Sequence, residues 1–302
     1  MYEKIYAEIL SFFPSSLSEI VNLNKNIWNT AEEIRVRLGQ AICIRQSSEE
    51  IFLSKVVNQE DMLRLLENFS NNSIYSVQSE LNNGFITLKG GHRVGVAGTS
   101  ILEDGKVKNI KYISSLNIRI AREMKGSSLN VMKYILDKNN FSNTLIISPP
   151  GCGKTTMLRD IVRCLSNGFE GFKGNNIGLV DERSEIAAMY KGVPQNDVGI
   201  RTDVMNNCVK HIGMNMLIRS MGPQIIATDE IGGKDDEEAI RRATYSGIKL
   251  LLTAHGDDIQ DISKDIMEKK IFKNVVVLTR NNRPGEIKNV YKLKEDQYVA
   301  YC

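Results

Sequence analysis

Lys154, Thr155 and Thr156 stand directly behind two glycines, Gly151 and Gly153, in the run TLIISPPGCGKTT at residues 144–156. Glycine frees the backbone to turn successive N–H groups inward, so that several donors converge on one anion. Leu145, Ile146 and Ile147 before the loop read as a strand, and residues 157–165 after it as a helix. Strand, glycine-rich loop and helix in that order make a phosphate-binding loop, to which the helix dipole and unpaired first-turn donors add. The nucleotide-binding set is then Pro150, Gly151, Cys152, Gly153, Lys154, Thr155 and Thr156. Lys154 would reach the β- and γ-phosphates of ATP, and the Thr155 hydroxyl would sit on Mg2+. One position departs from the pattern G-x-x-x-x-G-K-[ST]: Ser148 stands where the first glycine belongs. Serine tolerates left-handed backbone poorly, so the loop entry is expected to be shaped differently.

Hydrolysis needs more than binding: a second metal contact and a group that positions and deprotonates water. The run QIIATDE at residues 224–230 is an apolar strand ending in adjacent carboxylates. Asp229 is expected to hold Mg2+ through its hydration shell and Glu230 to activate the attacking water. The other role open to the pair is capping the element that follows. Further candidates for catalysis converge from three segments. Asp181 and Glu182 open an acidic run behind the strand-like residues 177–180, as part of the site or as a helix start that favours negative charge. His255 follows the apolar run 248–253, as a sensor of the γ-phosphate or a hydrogen-bonded loop histidine. Arg219 lies just ahead of the Asp229 strand, as a catalytic cation or an exposed charge at a helix end.

The elements that must position these residues follow from the apolar pattern. From residue 144 onward, short apolar runs at 177–180, 225–227, 248–253 and 275–278 alternate with helical patterns. Several end in a polar or charged residue. That is the layout of a mostly parallel α/β sheet whose ligands bind at the carboxyl ends of its strands. Residues 286–299 read as a closing strand or hairpin. The first 125 residues are of mixed α+β character: a helix over 2–13 stopping at Pro14, a strand pair over 33–46 broken by Gly39, and a short helix over 61–69. Strands at 84–88 and 93–97 are joined by a glycine turn, and alternating runs follow at 107–113 and 116–120. A helix at 129–136 leads into the phosphate-loop strand, near the domain boundary. No repeat or low-complexity tract interrupts the chain.

Composition bounds the rest. The 302 residues, 42% hydrophobic and 25% charged, suit a soluble globular protein of one large or two smaller domains. Lys and Arg number 39 against 36 acidic residues, a net charge of +3, which is too balanced to argue for nucleic acid. The five cysteines are scattered without metal-ligand spacing and read as reduced thiols of a cytosolic protein. No apolar run approaches the ~20 residues of a membrane span, and the N-terminus reads as an amphipathic helix rather than a signal peptide. Any membrane association is then peripheral or through a partner.

Several longer strings add a family resemblance: EIRVRLG, GFITLKGGHRVGVAG, SLNIRIARE, PPGCGKTTMLRDIVR, LVDERSEIAA, MNMLIRSMGPQIIATDEIGG and TAHG. Through the acidic box at 181–185, the stretch 219–230 and the His255 box, the second half resembles the secretion and pilus-retraction ATPases, a superfamily of RecA-like motors. The whole set is closer still to the stage III sporulation protein AA family of endospore-forming bacteria. The resemblance implies a RecA-like P-loop ATPase domain over 126–302 behind a smaller α+β domain over 1–125. It implies a mother-cell ATPase, cytoplasmic and peripheral to the outer forespore membrane, energising a channel between mother cell and forespore together with other channel subunits. It implies a homo-oligomeric ring, a hexamer, with ATP and Mg2+ held between subunits. In similar motors N-domain arginines reach a neighbour's γ-phosphate, and Arg93 in GGHRVG and Arg119 in LNIRIARE occupy comparable places; exposed strand charge is their other reading. Two other functions stay open. A RecA- or AAA-type ATPase acting on nucleic acid is disfavoured by the near-neutral charge and the lack of a basic-aromatic tract. A nucleotide-gated scaffold with little turnover is disfavoured by the presence of both Asp229 and Glu230, although Ser148 speaks for it.

Overall fold

A computed structural model of the chain describes residues 2–301 except 21–22, 24, 48, 138–139 and 282. Its residues group into two units, 1–122 with 188–195 and 123–187 with 196–302.

The first unit runs through α1 (Tyr2–Leu10), α2 (Lys25–Thr30), β1 (Glu33–Arg37), β2 (Ala41–Arg45), β3 (Glu50–Val56), α3 (Gln59–Phe69), α4 (Gln78–Asn82), β4 (Phe85–Thr87), β5 (Arg93–Glu103) and β6 (Lys106–Arg119). The strands form one antiparallel sheet in the order β3-β2-β1-β6-β5-β4. Alternation decides its faces. Ile34, Val36, Val94, Leu116 and Ile118 are buried with Ile5, Ile9, Trp28, Met62, Leu65 and Phe69 of the helices. Positions one residue out of step place Arg35, Arg37, Arg93 and Arg119 on the opposite face. Helix α3 starts where Asn58 and Asp61 cap each other: the Asn58 Oδ1 accepts from the Asp61 N–H at 2.9 Å, and the Asp61 Oδ2 from the Asn58 N–H at 3.0 Å. Two features differ from the sequence pattern. β6 is one strand across 106–119, with bulged pairing to β5 where the alternation breaks. β3, at the sheet edge, turns Ile51 and Leu53 half-buried to the core and leaves Phe52 and Val56 exposed on the other face, so its apolar residues fall on both faces and the sequence shows no clean alternation.

The second unit contains α5 (Leu129–Ile135), β7 (Leu136–Asp137), β8 (Asn140–Phe141), β9 (Thr144–Ser148), α6 (Lys154–Asn167) and β10 (Ile177–Asp181). The chain then makes β11 (Met189–Tyr190) and β12 (Val193–Pro194), which group with the first unit. There the Asn71 amide donates to the Tyr190 hydroxyl at 2.7 Å, and the Gly90 N–H to Gln195 Oε1 at 2.8 Å. Back in the second unit follow β13 (Thr202–Asn206), α7 (Lys210–Ser220), β14 (Ile225–Thr228), α8 (Lys234–Tyr245), β15 (Lys249–His255), α9 (Lys264–Glu268), β16 (Asn274–Thr279), β17 (Glu286–Lys294) and β18 (Gln297–Ala300).

The sheet of this unit has eight strands in the order β13-β10-β14-β15-β9-β16-β17-β18. The first six are parallel and the last two pair antiparallel. Every residue of β9, β10 and β14 is buried, as strands covered by helices on both faces require. All six parallel strands end at one edge, so the segments after β9, β10, β14, β15 and β16 emerge side by side. Among the described residues no helix is long and apolar enough to cross a membrane.

Candidate functional site

The phosphate loop leaves the sheet at Ser148, the last residue of β9, which is buried and level with His255 of β15. Its backbone is not left-handed; positive φ falls on Gly151 (73°) and Gly153 (81°) instead. The first glycine of the usual pattern is therefore dispensable here, because position 148 needs only extended backbone. Gly153 caps α6, and a Cβ on it would come within 3.1 Å of the Gly285 nitrogen. Met157, Leu158, Ile161 and Leu165 bury one side of α6 and fix its first turn against the sheet. That turn carries Lys154, only 5% exposed.

Lys154 Nζ lies 2.9 Å from His255 Nδ1 and donates to the Ala254 carbonyl at 3.4 Å. Burial lowers the pKa of the amine, while Glu230 and Asp229 oppose the shift. The other imidazole nitrogen, Nε2, is 3.0 Å from Glu230 Oε1. An ammonium can only donate, so Nδ1 accepts and the proton of the neutral ring sits on Nε2, facing the carboxylate. Glu230 Oε2 accepts from Arg183 Nη1 at 2.9 Å. Lys154, His255, Glu230 and Arg183 thus form one hydrogen-bonded chain across the ends of β9, β15, β14 and β10. Glu230 is held with φ of 49°, and its N–H donates to Thr253 Oγ1 at 2.9 Å. Left-handed backbone costs a side-chain-bearing residue on the order of 1–2 kcal/mol, so the sheet edge imposes this geometry on the carboxylate.

Asp229 is 4% exposed, and its carboxyl is pushed up to about 6 by burial and by the neighbouring Asp181 charge. Lys210 works against that shift, with Glu230 and Glu185 adding to it. A buried carboxylate crowded by others is the setting a cation relieves. Thr155 and Asp229 are the residues that would hold Mg2+. Among the described residues no three His, Cys, Asp or Glu side chains form a metal cage. One hydroxyl and one carboxylate suit Mg2+, which takes its other ligands from water and substrate phosphates.

Asp181 is fully buried, and its carboxylate accepts the N–H groups of Glu185 (2.9 Å), Ile186 (3.1 Å) and Ala187 (2.8 Å). From the other side Arg159 of α6 donates to the Glu185 and Ile186 carbonyls, each at 2.6 Å. These contacts shape the acidic loop. Glu182 leaves it to pair with Lys210 at the start of α7.

The structure therefore brings together Lys154, Thr155, Asp229, Glu230, His255, Asp181 and Glu182. Arg219 is not among them. It is exposed in the last turn of α7, which starts beside Glu182 and runs away from the phosphate edge; the nine-residue separation from Lys210 spans about 14 Å of helix. Arg93 and Arg119 belong to the first unit, directly opposite each other on β5 and β6, with Arg93 stacked 3.6 Å over the Phe85 ring and Arg119 3.8 Å from Glu33. Arg183, Thr253, Arg159 and Lys210 escape a sequence reading. Their roles depend on contacts between segments 23 to 47 residues apart. Only the charge-rich DERSE run hints at Arg183.

The model of the family described as sporulation stage III, protein AA matches residues 3–298. Stage III sporulation protein AA of Bacillus subtilis (strain 168) is 38% identical over 290 residues, 94% of each chain. Among solved structures, the Legionella pneumophila ATPase DotB has a TM-score of 0.53 at 16% identity, over 89% of this chain and 75% of its own. The pilus retraction motor PilT, solved with bound ADP, has a TM-score of 0.57 at 14% identity, over 86% and 76%. At those identities the likeness is one of fold, the α/β fold of RecA-like secretion ATPases. The family itself rests on the sequence: with its model matched along almost the whole chain, the protein belongs to the sporulation stage III protein AA family.

Proposed function

We propose that this protein binds and hydrolyses ATP with Mg2+ as a motor or assembly ATPase. The observation that carries the reading is the chain from Lys154 through His255 to Glu230, which joins the phosphate loop to a carboxylate held in left-handed backbone. Lys154 exchanges its histidine contact for the β- and γ-phosphates when nucleotide enters. His255, released on one side, stays bonded to Glu230 and so reports the phosphates to the carboxylate. Glu230 takes the proton of the attacking water. Thr155 and Asp229 would hold Mg2+, which would supply positive charge beside the phosphate oxygens. Family membership supports a role in endospore formation, energising a mother cell–forespore channel from the mother-cell cytoplasm, at the outer forespore membrane and with other channel subunits. In that setting the subunits form a ring, a hexamer, and Arg93 and Arg119 act on a neighbour's nucleotide.

ATP turnover with and without single-stranded DNA, beside two variants, tests this reading. Glu230→Gln should bind ATP while turnover falls about 10²–10⁴-fold. Lys154→Ala should lose about 10- to 100-fold in ATP affinity. Wild-type turnover equal to that of Glu230→Gln would instead indicate a nucleotide-gated scaffold. Strong stimulation by DNA would indicate a nucleic-acid motor.

A further inference from the structure

The phosphate loop has two flanks. His255 comes from β15 on one side; on the other lies β16, parallel to β9 with Val277 level with Ile147. Counting forward in register, Thr279 ends β16 beside the loop entry and Arg280 follows it, alongside the loop itself. The turn back to β17 is fastened to the phosphate loop. The Gly285 N–H donates to the Cys152 carbonyl at 2.8 Å. Gly285 takes φ of 83°, and Pro284 and Gly285 pack so closely on Gly153 that a Cβ there would lie 3.1 Å from one and 3.4 Å from the other. Arg280 lies against the loop: its Nη1 is 3.7 Å from where a Cβ of Gly151 would stand. β17 also holds the far flank, since Asn289 and Tyr291 donate to Asp258, at 3.2 and 2.8 Å, three residues beyond His255.

We infer that Arg280 is a phosphate-binding residue, a second cation acting in its own subunit on the polyphosphate chain of the nucleotide, opposite the Lys154–His255 flank. The inference rests on the nucleotide reading of the phosphate loop. A guanidinium beside inward-turned N–H donors reinforces an anion site of the same sign, and its planar fork can bind two phosphate oxygens at once. The side chain is exposed, so its loss leaves the fold intact.

The test measures binding of ATP, ADP and inorganic tripolyphosphate to the full chain and to Arg280→Ala, Arg280→Lys and Lys154→Ala. Arg280→Ala should weaken all three ligands about 10- to 100-fold, with part of the loss recovered in Arg280→Lys. Loss for ATP and ADP but not for tripolyphosphate would mean that Arg280 meets the nucleoside, and the inference fails. Unchanged binding in Arg280→Ala with the expected loss in Lys154→Ala overturns the inference and leaves the phosphate loop standing. Unchanged binding in Lys154→Ala overturns both.

Discussion

Asp229 is the residue at which stability and chemistry pull apart. Its carboxyl titrates at about 6 in the fold against an ordinary 3.8, chiefly because it is buried beside Asp181. Between these two pH values the folded chain binds more protons at this site than the unfolded chain does. Stability therefore falls as pH rises from about 4 to about 6 and is level above that. At neutral pH the ionised carboxylate costs up to about 3 kcal/mol. Asp229→Asn removes that charge while keeping the shape, so the nucleotide-free variant should melt several degrees higher than wild type at pH 7 and no higher at pH 4. Its Mg2+-dependent turnover should collapse. Melting curves at the two pH values decide the matter; equal midpoints at pH 7 would show that the buried charge is already compensated. Nothing in the run TDE announces this trade-off. The sequence supplies the carboxylates, but the burial that makes one of them costly and the left-handed backbone that aims the other are properties of the assembled sheet edge.

At the scale of elements, the acidic loop after β10 depends on a single side chain. Asp181 accepts three backbone N–H groups, those of Ile186 and Ala187 being buried, and Ala187 is the last residue before the chain passes to the first unit. Each donor left without a partner costs on the order of 1–3 kcal/mol. Asp181→Ala should accordingly lose about 3 kcal/mol of stability and most of the hydrogen-exchange protection of residues 185–187. The reading of Asp181 as loop organiser is lost if those amides stay protected. The same elements show what a sequence can and cannot disclose. β9, β10, β14, β15 and β16 are legible because strands buried on both faces are unbroken apolar runs, and α6 is legible from its glycine loop. β13 (TDVMN) has too few apolar residues to stand out, and β11 and β12 are two residues each. Gly285 after β16 carries no sequence signal, since its hold on Cys152 is set by tertiary pairing.

At the scale of the whole molecule, the proposed ring would draw on charges carried by both units. The second unit carries Lys154 and the carboxylates. The first presents Arg93 and Arg119 as direct cross-strand partners on the face of its sheet away from the core. Glu33 is also opposite Arg119, and charges at opposed positions on a sheet interact by a few tenths of a kcal/mol or more. In the ring proposed above, the anion these arginines would meet is a neighbour's γ-phosphate. An arginine of this kind contributes to turnover and not to the affinity of its own subunit. Arg119→Ala and Arg93→Ala should each bind ATP as wild type does when dilute and lose activity when assembled, by up to about 10³–10⁵-fold, the range for arginines supplied in trans. Mixing separates trans from cis action. Arg119→Ala keeps an intact phosphate loop; Lys154→Ala keeps both arginines. Each should be inactive alone, and a mixed oligomer would contain interfaces at which a working loop meets a working arginine, so activity should reappear in proportion to those interfaces. The same holds with Arg93→Ala in place of Arg119→Ala. Native mass spectrometry of the mixture establishes whether mixed oligomers exist. If they form and neither mixture regains turnover, the arginines do not act across subunits, and the ring must draw its γ-phosphate contact from residues of the nucleotide's own unit.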